Sequence, residues 1–312
     1  MPHRHRLPVS TRHAFALAFD LAFRRDPLHS LVVPLLLRAP WSIAIGLISP
    51  LILAGGVTGW VVLVGSLLLL GEFLTWLVVN AMLRLRARSV FNTAPHVAPM
   101  PAGAGYRAGF RRVPWLIVTE LVRTFCLGLA ATIAVLPATL VRVTMESFLQ
   151  DLGRNVILVV VTVCLALPVV MLGCRLGVAT EAVVLDDHDL GGAFTHSFAL
   201  MAGRFERWFE LIVGSGLVVL AVALLCAVLT FVSPLLAGPA GLSALWLLLV
   251  FITPVIQYAW TFFYLRLTEV EHLAADAGAP VPDAGAGVRA ASQPALRLVT
   301  PESPREQGRP GA

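Results

Sequence analysis

Residues 211–232 read LIVGSGLVVLAVALLCAVLTFV, twenty-two positions without a charged side chain or a proline. A helix rises 1.5 Å per residue, so about 20 apolar residues cross the hydrocarbon core of a bilayer. This run meets that length, and the rest of the chain follows its pattern.

Of the 312 residues, 58% are hydrophobic and only 13% charged. Soluble domains carry about 25% charged residues, so the composition is that of a multi-spanning membrane protein. Six stretches are long and apolar enough to span: 31–54, 60–83, 114–141, 156–173, 211–232 and 241–265. The first is the least regular, holding Arg38 and three prolines. Pro114 suits a first helical residue and opens the third. The expected fold is an all-α, polytopic bundle of six transmembrane helices with short cytoplasmic interfacial helices.

All 23 basic residues are arginine, and their placement sets the orientation. Nineteen fall in the N-terminal segment, the 2–3 loop, the 4–5 loop and the C-terminal segment, against Arg142 and Arg154 in the other loops. Cytoplasmic loops carry the basic excess. Both termini are therefore expected in the cytoplasm, with the chain in a bacterial inner membrane. Trp60 and Trp246 fall near outer span ends and Trp115 and Trp208 near inner ones, as interfacial rings do. The +5 net charge is spread over loops that flank spans and does not indicate nucleic-acid binding.

The chain divides into an N-terminal cytoplasmic segment (1–30), a six-span domain (31–273) and a tail (274–312). The tail is rich in Ala, Pro and Gly and is expected to be disordered. The N-terminus lacks the unbroken apolar centre of a signal peptide. Cys126, Cys164, Cys174 and Cys226 read as small buried hydrophobes.

A short motif recurs. AFALAFDLAFRR (14–25) precedes span one and AFTHSFALMAGR (193–204) precedes span five. GYRAGFRR (105–112) keeps the aromatic spacing before span three. The chain thus reads as three parallel copies of a cytoplasmic helix followed by two spans. In the third copy Leu190, Phe194, Phe198, Met201, Phe205 and Phe209 form one helical stripe, with Arg204 and Arg207 on the other side. Such a helix lies in the membrane interface or packs its stripe on the bundle.

The segment EAVVLDDHDLGGAFTHSFALMAGRFERWFELIVG (181–214) resembles one found in a family of bacterial six-span inner-membrane proteins. These are similar to the membrane domain attached to some glycerophosphodiester phosphodiesterases. The residues carrying the resemblance are Glu181, the DDHD turn, Ala193-Phe194, Ser197, Leu200 and 204–208. It implies an integral inner-membrane protein. It does not imply phosphodiesterase activity, which belongs to a separate soluble barrel domain absent from this sequence.

The turn Asp186-Asp187-His188-Asp189 has the residue types of a cation site. Neighbours in a short turn cannot all reach one ion, so Glu181 or His196 would have to join. Asp189 or Asp187 also suits a cap for a helix starting near Leu190, and a solvated cap is the expected role. Arg38, Glu72, Glu120 and Arg123 lie inside spans, where each unpaired charge costs at least about 2.5–3.5 kcal/mol. They are expected to form a buried polar network, with Glu72 facing Arg38 or Arg123 and Glu120 sharing. Thr253, Gln257, Tyr258 and Thr261, around Pro254, line a cavity or bond neighbouring helices.

No GxSxG elbow, paired-histidine motif or Walker loop occurs. The reading is a non-enzymatic protein with no catalytic residue, cofactor or metal. It scaffolds a membrane-protein partner or organises lipid through anionic headgroups; the alternative is a small-solute or lipid transporter using the charges of spans one to three.

Overall fold

The apolar runs fold as helices, and the helices outrun them. The computed structural model describes residues 10–53, 59–91, 93, 98–145, 151–232 and 239–276. These form α1 (Thr11–Phe19), α2 (Val33–Leu53), α3 (Gly59–Val90), α4 (Ala102–Met145), α5 (Asp151–Arg175), α6 (Ala179–Leu185), α7 (Leu190–Leu200), α8 (Phe205–Val232) and α9 (Pro239–Asp276). Two wide turns, Asp20–Arg25 and Leu28–Val32, lead from α1 into α2. No strand occurs among the described residues. The 274–312 tail beyond Asp276 and most of the turn between spans one and two lie outside them.

Six helices, α2, α3, α4, α5, α8 and α9, are long and apolar enough to cross a membrane. The protein is therefore an all-α, multi-pass membrane protein. Helix neighbours run in sequence from α2 through α3, α4 and α5 to α8 and α9, and α9 returns to α2. Contact is broad at every seam except α5 against α8, which touch little.

Hydropathy ends a span at the first charges, but the hydrogen-bond ladder continues past them. α3 runs to Val90 rather than 83, α8 begins at Phe205 rather than 211, and α9 runs to Asp276 rather than 265. Pro114 does not open its helix, because α4 already starts at Ala102. Its missing N–H leaves the Phe110 carbonyl without a helix partner, and both residues face outward.

These extensions all lie at the arginine-rich end, and there the core sits. Leu21, Leu83, Val183, Leu200, Leu211 and Phe263 belong to one buried cluster. Leu67, Leu70, Leu121, Leu167 and Leu224, along the spans, are exposed.

The recurring motif takes up one arrangement three times. Ala14 and Ala18, Gly105 and Gly109, and Ala193 and Ser197 are all buried. The aromatic one place after each second small residue, Phe19, Phe110 or Phe198, is exposed. Small residues four apart let helices approach closely. A Cβ on Gly109 would lie 3.2 Å from the Met82 backbone nitrogen of α3. Ser197 donates to the Arg175 carbonyl at 2.7 Å, tying α7 to the end of α5. α1 packs along α9. Each motif helix thus docks on the second span of the neighbouring copy.

The 190–209 stripe is not one helix. α7 stops at Leu200, Gly203 takes a left-handed φ of 68°, and α8 restarts at Phe205. Met201 is buried at the break, Phe194 and Phe205 are half-buried, and Phe198 and Phe209 are exposed. Trp208 does not face outward, for its indole is buried against Gly177. Cys174 and Cys226 are buried as expected, whereas Cys164 is exposed on a span surface and Cys126 is intermediate.

Candidate functional site

α3 carries arginines at 84, 86 and 88, and the fold spends all three on acidic partners from other elements. Arg84 meets Glu181 of α6 at 3.1 Å. Arg86 pairs with Asp26, in the link between α1 and α2, and donates to the Met100 carbonyl at 2.9 Å. Arg88 reaches Asp186 at 3.5 Å. Arg84 and Arg86 are 3% and 1% exposed, so neither is free for lipid headgroups. Among the described residues the exposed arginines are Arg12, Arg24, Arg88, Arg107, Arg111, Arg175 and Arg207.

Around Arg84 lies a buried polar cluster. All of α6 is buried, which places Thr180 and Glu181 in the interior. Arg84 donates to Thr180 Oγ1 at 2.9 Å, and Thr180 donates to Glu181 Oε2 at 3.0 Å. Gln257 of α9 donates to Glu181 Oε1 at 3.3 Å. Asn80, one turn before Arg84, is 1% exposed, and neither of its side-chain polar atoms has a hydrogen-bond partner among the described residues. The strip around Pro254 bonds neighbouring helices: beside Gln257, Tyr258 shares a hydrogen bond with Ser30 at 2.9 Å.

The four charges singled out inside the spans stand as two pairs. Arg38 Nε donates to Glu72 Oε1 at 2.8 Å, joining α2 to α3. Arg123 meets Glu120 at 2.7 Å within α4. Glu120 thus pairs within its own helix rather than sharing Glu72. Sequence reasoning missed Arg84, Glu181 and Gln257 as cluster members because Arg84 read as a topology signal. The signal that could have found it is the RLRAR run, too regular to be only a loop.

Arg204 bonds the Leu200 carbonyl at 2.7 Å and Glu271 at 3.2 Å, pinning the α7–α8 break to α9. Arg207 pairs with Glu210 at 2.9 Å.

At the DDHD turn, Asp189 caps α7, accepting from the Gly192 N–H at 2.9 Å. Asp187 sits at φ 59° and pairs with Arg112. Asp186 accepts from the Tyr264 hydroxyl. The His188 and His196 rings stand 4.9 Å apart. Burial, with His188 and His272 adding repulsion against the pull of Asp186, holds the His196 imidazole below its ordinary pKa. Asp186, His188 and His196 are the residues here that could hold a metal ion.

A cavity of about 530 Å³ opens between α1, the end of α3 and α9. Leu17, Leu21, Phe91 and Phe262 form its apolar wall, and His13, Arg25 and Arg266 its polar side. Arg25 bonds Asp20 at 2.8 Å and Arg266 pairs with Glu269. Each guanidinium has five N–H donors, so each keeps donors for a ligand.

No family model, curated protein or solved structure matches the chain.

Proposed function

We propose that the protein is a non-enzymatic component of a bacterial inner membrane, termini in the cytoplasm, that holds an anionic phospholipid headgroup at its arginine-rich face. The cavity between α1 and α9 carries this reading. Arg25, Arg266 and His13 on one side and leucine and phenylalanine on the other suit a phosphate joined to acyl chains. The outward Phe19, Phe110 and Phe198 support it, since exposed aromatic rings beside arginines belong at a headgroup boundary. The concentration of arginine in alternate loops supports the orientation.

Native mass spectrometry of the detergent-solubilised protein with phosphatidylglycerol or phosphatidylcholine tests it. Each arginine near an anionic surface contributes about 1 kcal/mol, so Arg25→Gln with Arg266→Gln should weaken phosphatidylglycerol retention roughly 30-fold. Equal retention of the two lipids by the wild type refutes the reading, as does selectivity that survives in the double variant.

One observation favours a second reading, passage of a small polar solute. Asn80 is buried in a span with its amide unpartnered, beside the Arg84 cluster. Solute flux in proteoliposomes that Asn80→Leu abolishes, in a protein that still folds, would establish it.

A further inference from the structure

The four residues of the DDHD turn divide their work. Asp187 is committed to Arg112 and Asp189 to the cap of α7. Asp186 and His188 are brought together with His196, two turns into α7. One ligand atom from each of these three lies within 4.8 Å of the other two. The left-handed backbone at Asp187 turns the chain between Asp186 and His188. A Cβ on Gly192 would stand 2.5 Å from Asp189 Oδ1, so the glycine serves the α7 cap. From this geometry we propose that Asp186, His188 and His196 form a binding site for a borderline divalent metal ion of the Zn²⁺ type.

The donor set decides the class of ion. Two imidazole nitrogens and one carboxylate oxygen suit Zn²⁺, Co²⁺ or Ni²⁺, whereas Mg²⁺ and Ca²⁺ take oxygen ligands. In a tetrahedral site with bonds of about 2.0–2.1 Å the ligand atoms stand about 3.3 Å apart. The three groups must therefore close by roughly 1.5 Å. His188, on the turn, has that freedom through side-chain rotation. His196 Nε2 is buried without a hydrogen-bond partner among the described residues.

The surroundings complete the site. The Tyr264 hydroxyl donates to Asp186 Oδ2 and holds the carboxylate in place, as outer partners of metal ligands do. Arg88, 3.5 Å from Asp186 Oδ1, is a competing cation, but its side chain is 46% exposed and screened by water. Three protein ligands leave a fourth position for water. A bound ion would join the end of α6 to α7 beside α9, fastening the motif helix that the third copy docks there.

The test uses the full chain in detergent, with any polyhistidine tag removed, stripped by chelator and titrated with Zn²⁺ and Co²⁺. One ion per chain is expected. His188→Gln and His196→Gln should each weaken Zn²⁺ binding at least tenfold, and Arg207→Gln, on the exposed start of α8, should leave it unchanged. X-ray absorption of the Zn²⁺-loaded wild type reads the ligand shell without any variant. Nitrogen and oxygen at about 2.0 Å, with histidine scattering, are expected. A sulfur shell, no stoichiometric uptake, or affinity that survives both histidine substitutions overturns the site.

Discussion

Glu181→Ala is the most informative single change in the interior. The carboxylate faces Arg84 at 3.1 Å, with side chains 3% and 4% exposed. Removing it strands a guanidinium whose remaining bonds go to Thr180, at 2.9 Å to the hydroxyl and 3.4 Å to the carbonyl. Gln257 loses an acceptor at the same time. Breaking one side of a buried pair costs about 3–5 kcal/mol. Glu181→Gln keeps the shape and one acceptor but loses the charge, so its cost should be about 1.5–3 kcal/mol, the net worth of a charged hydrogen bond. Replacing both partners with methionine removes the stranded charge, and the double variant should be more stable than Glu181→Ala. Equilibrium unfolding in mixed SDS micelles, followed by circular dichroism, gives all three values. A cost for Glu181→Ala under about 1 kcal/mol, the range of an exposed pair, would refute the burial of this pair. So would a double variant as unstable as the two single changes added together.

Three further outcomes follow from the geometry. Gly46→Val should destabilise the α2–α9 seam by about 1–3 kcal/mol in the same assay, because a Cβ at Gly46 would lie 2.8 Å from the Ser243 Cα. Asp189→Ala should cost about 1 kcal/mol through the lost α7 cap, read as faster amide exchange confined to α7. The metal-stripped protein should lose stability as pH falls below about 6.5, since the unfolded chain protonates His196 before the folded one does. Above that range both states are neutral and the effect vanishes. His188, His272 and Asp186 act on His196 here, and His196→Gln should flatten the acid limb of a thermal-unfolding profile if His196 is its source.

The spans were legible because twenty apolar residues in a row have one physical solution, and residues 211–232 leave no choice. Helix ends were not, because hydropathy measures affinity for lipid while the ladder of N–H to carbonyl bonds runs on through Arg84, Arg86 and Arg88. The charged pairs were half legible. Arg38 and Glu72 sit in adjacent spans and had to find partners. Glu120 and Arg123 satisfied each other within one helix, one turn apart. Glu181 was placed near the DDHD turn in sequence, yet α6 carries it inward to Arg84. The break at Gly203 was masked because residues 205 and 209 kept the phase of 190–201 across a turn.

The repetition gives a way to separate what builds the protein from what it does. A feature needed to dock each motif helix must recur in all three copies, as the buried small pair does at Ala14 and Ala18, Gly105 and Gly109, and Ala193 and Ser197. The same holds for the outward aromatic at Phe19, Phe110 and Phe198. Packing alone explains these, because three equivalent seams make three equivalent demands. His196 answers to no such demand. Its counterparts are Leu17 in the first copy and Ala108 in the third-span copy, neither of which can bind a proton or an ion. Arg25 recurs as Arg204, but the two are used differently: Arg204 is tied to Leu200 and Glu271, whereas Arg25 lines, with Arg266, the cavity where α1 closes on α9. The features that packing of the repeat does not demand thus collect at two places on the arginine-rich end, the imidazole cluster around the start of α7 and the cleft beside α1. Chemistry that the fold does not require is concentrated there, and substitutions at those positions should alter ligand binding far more than they alter unfolding free energy.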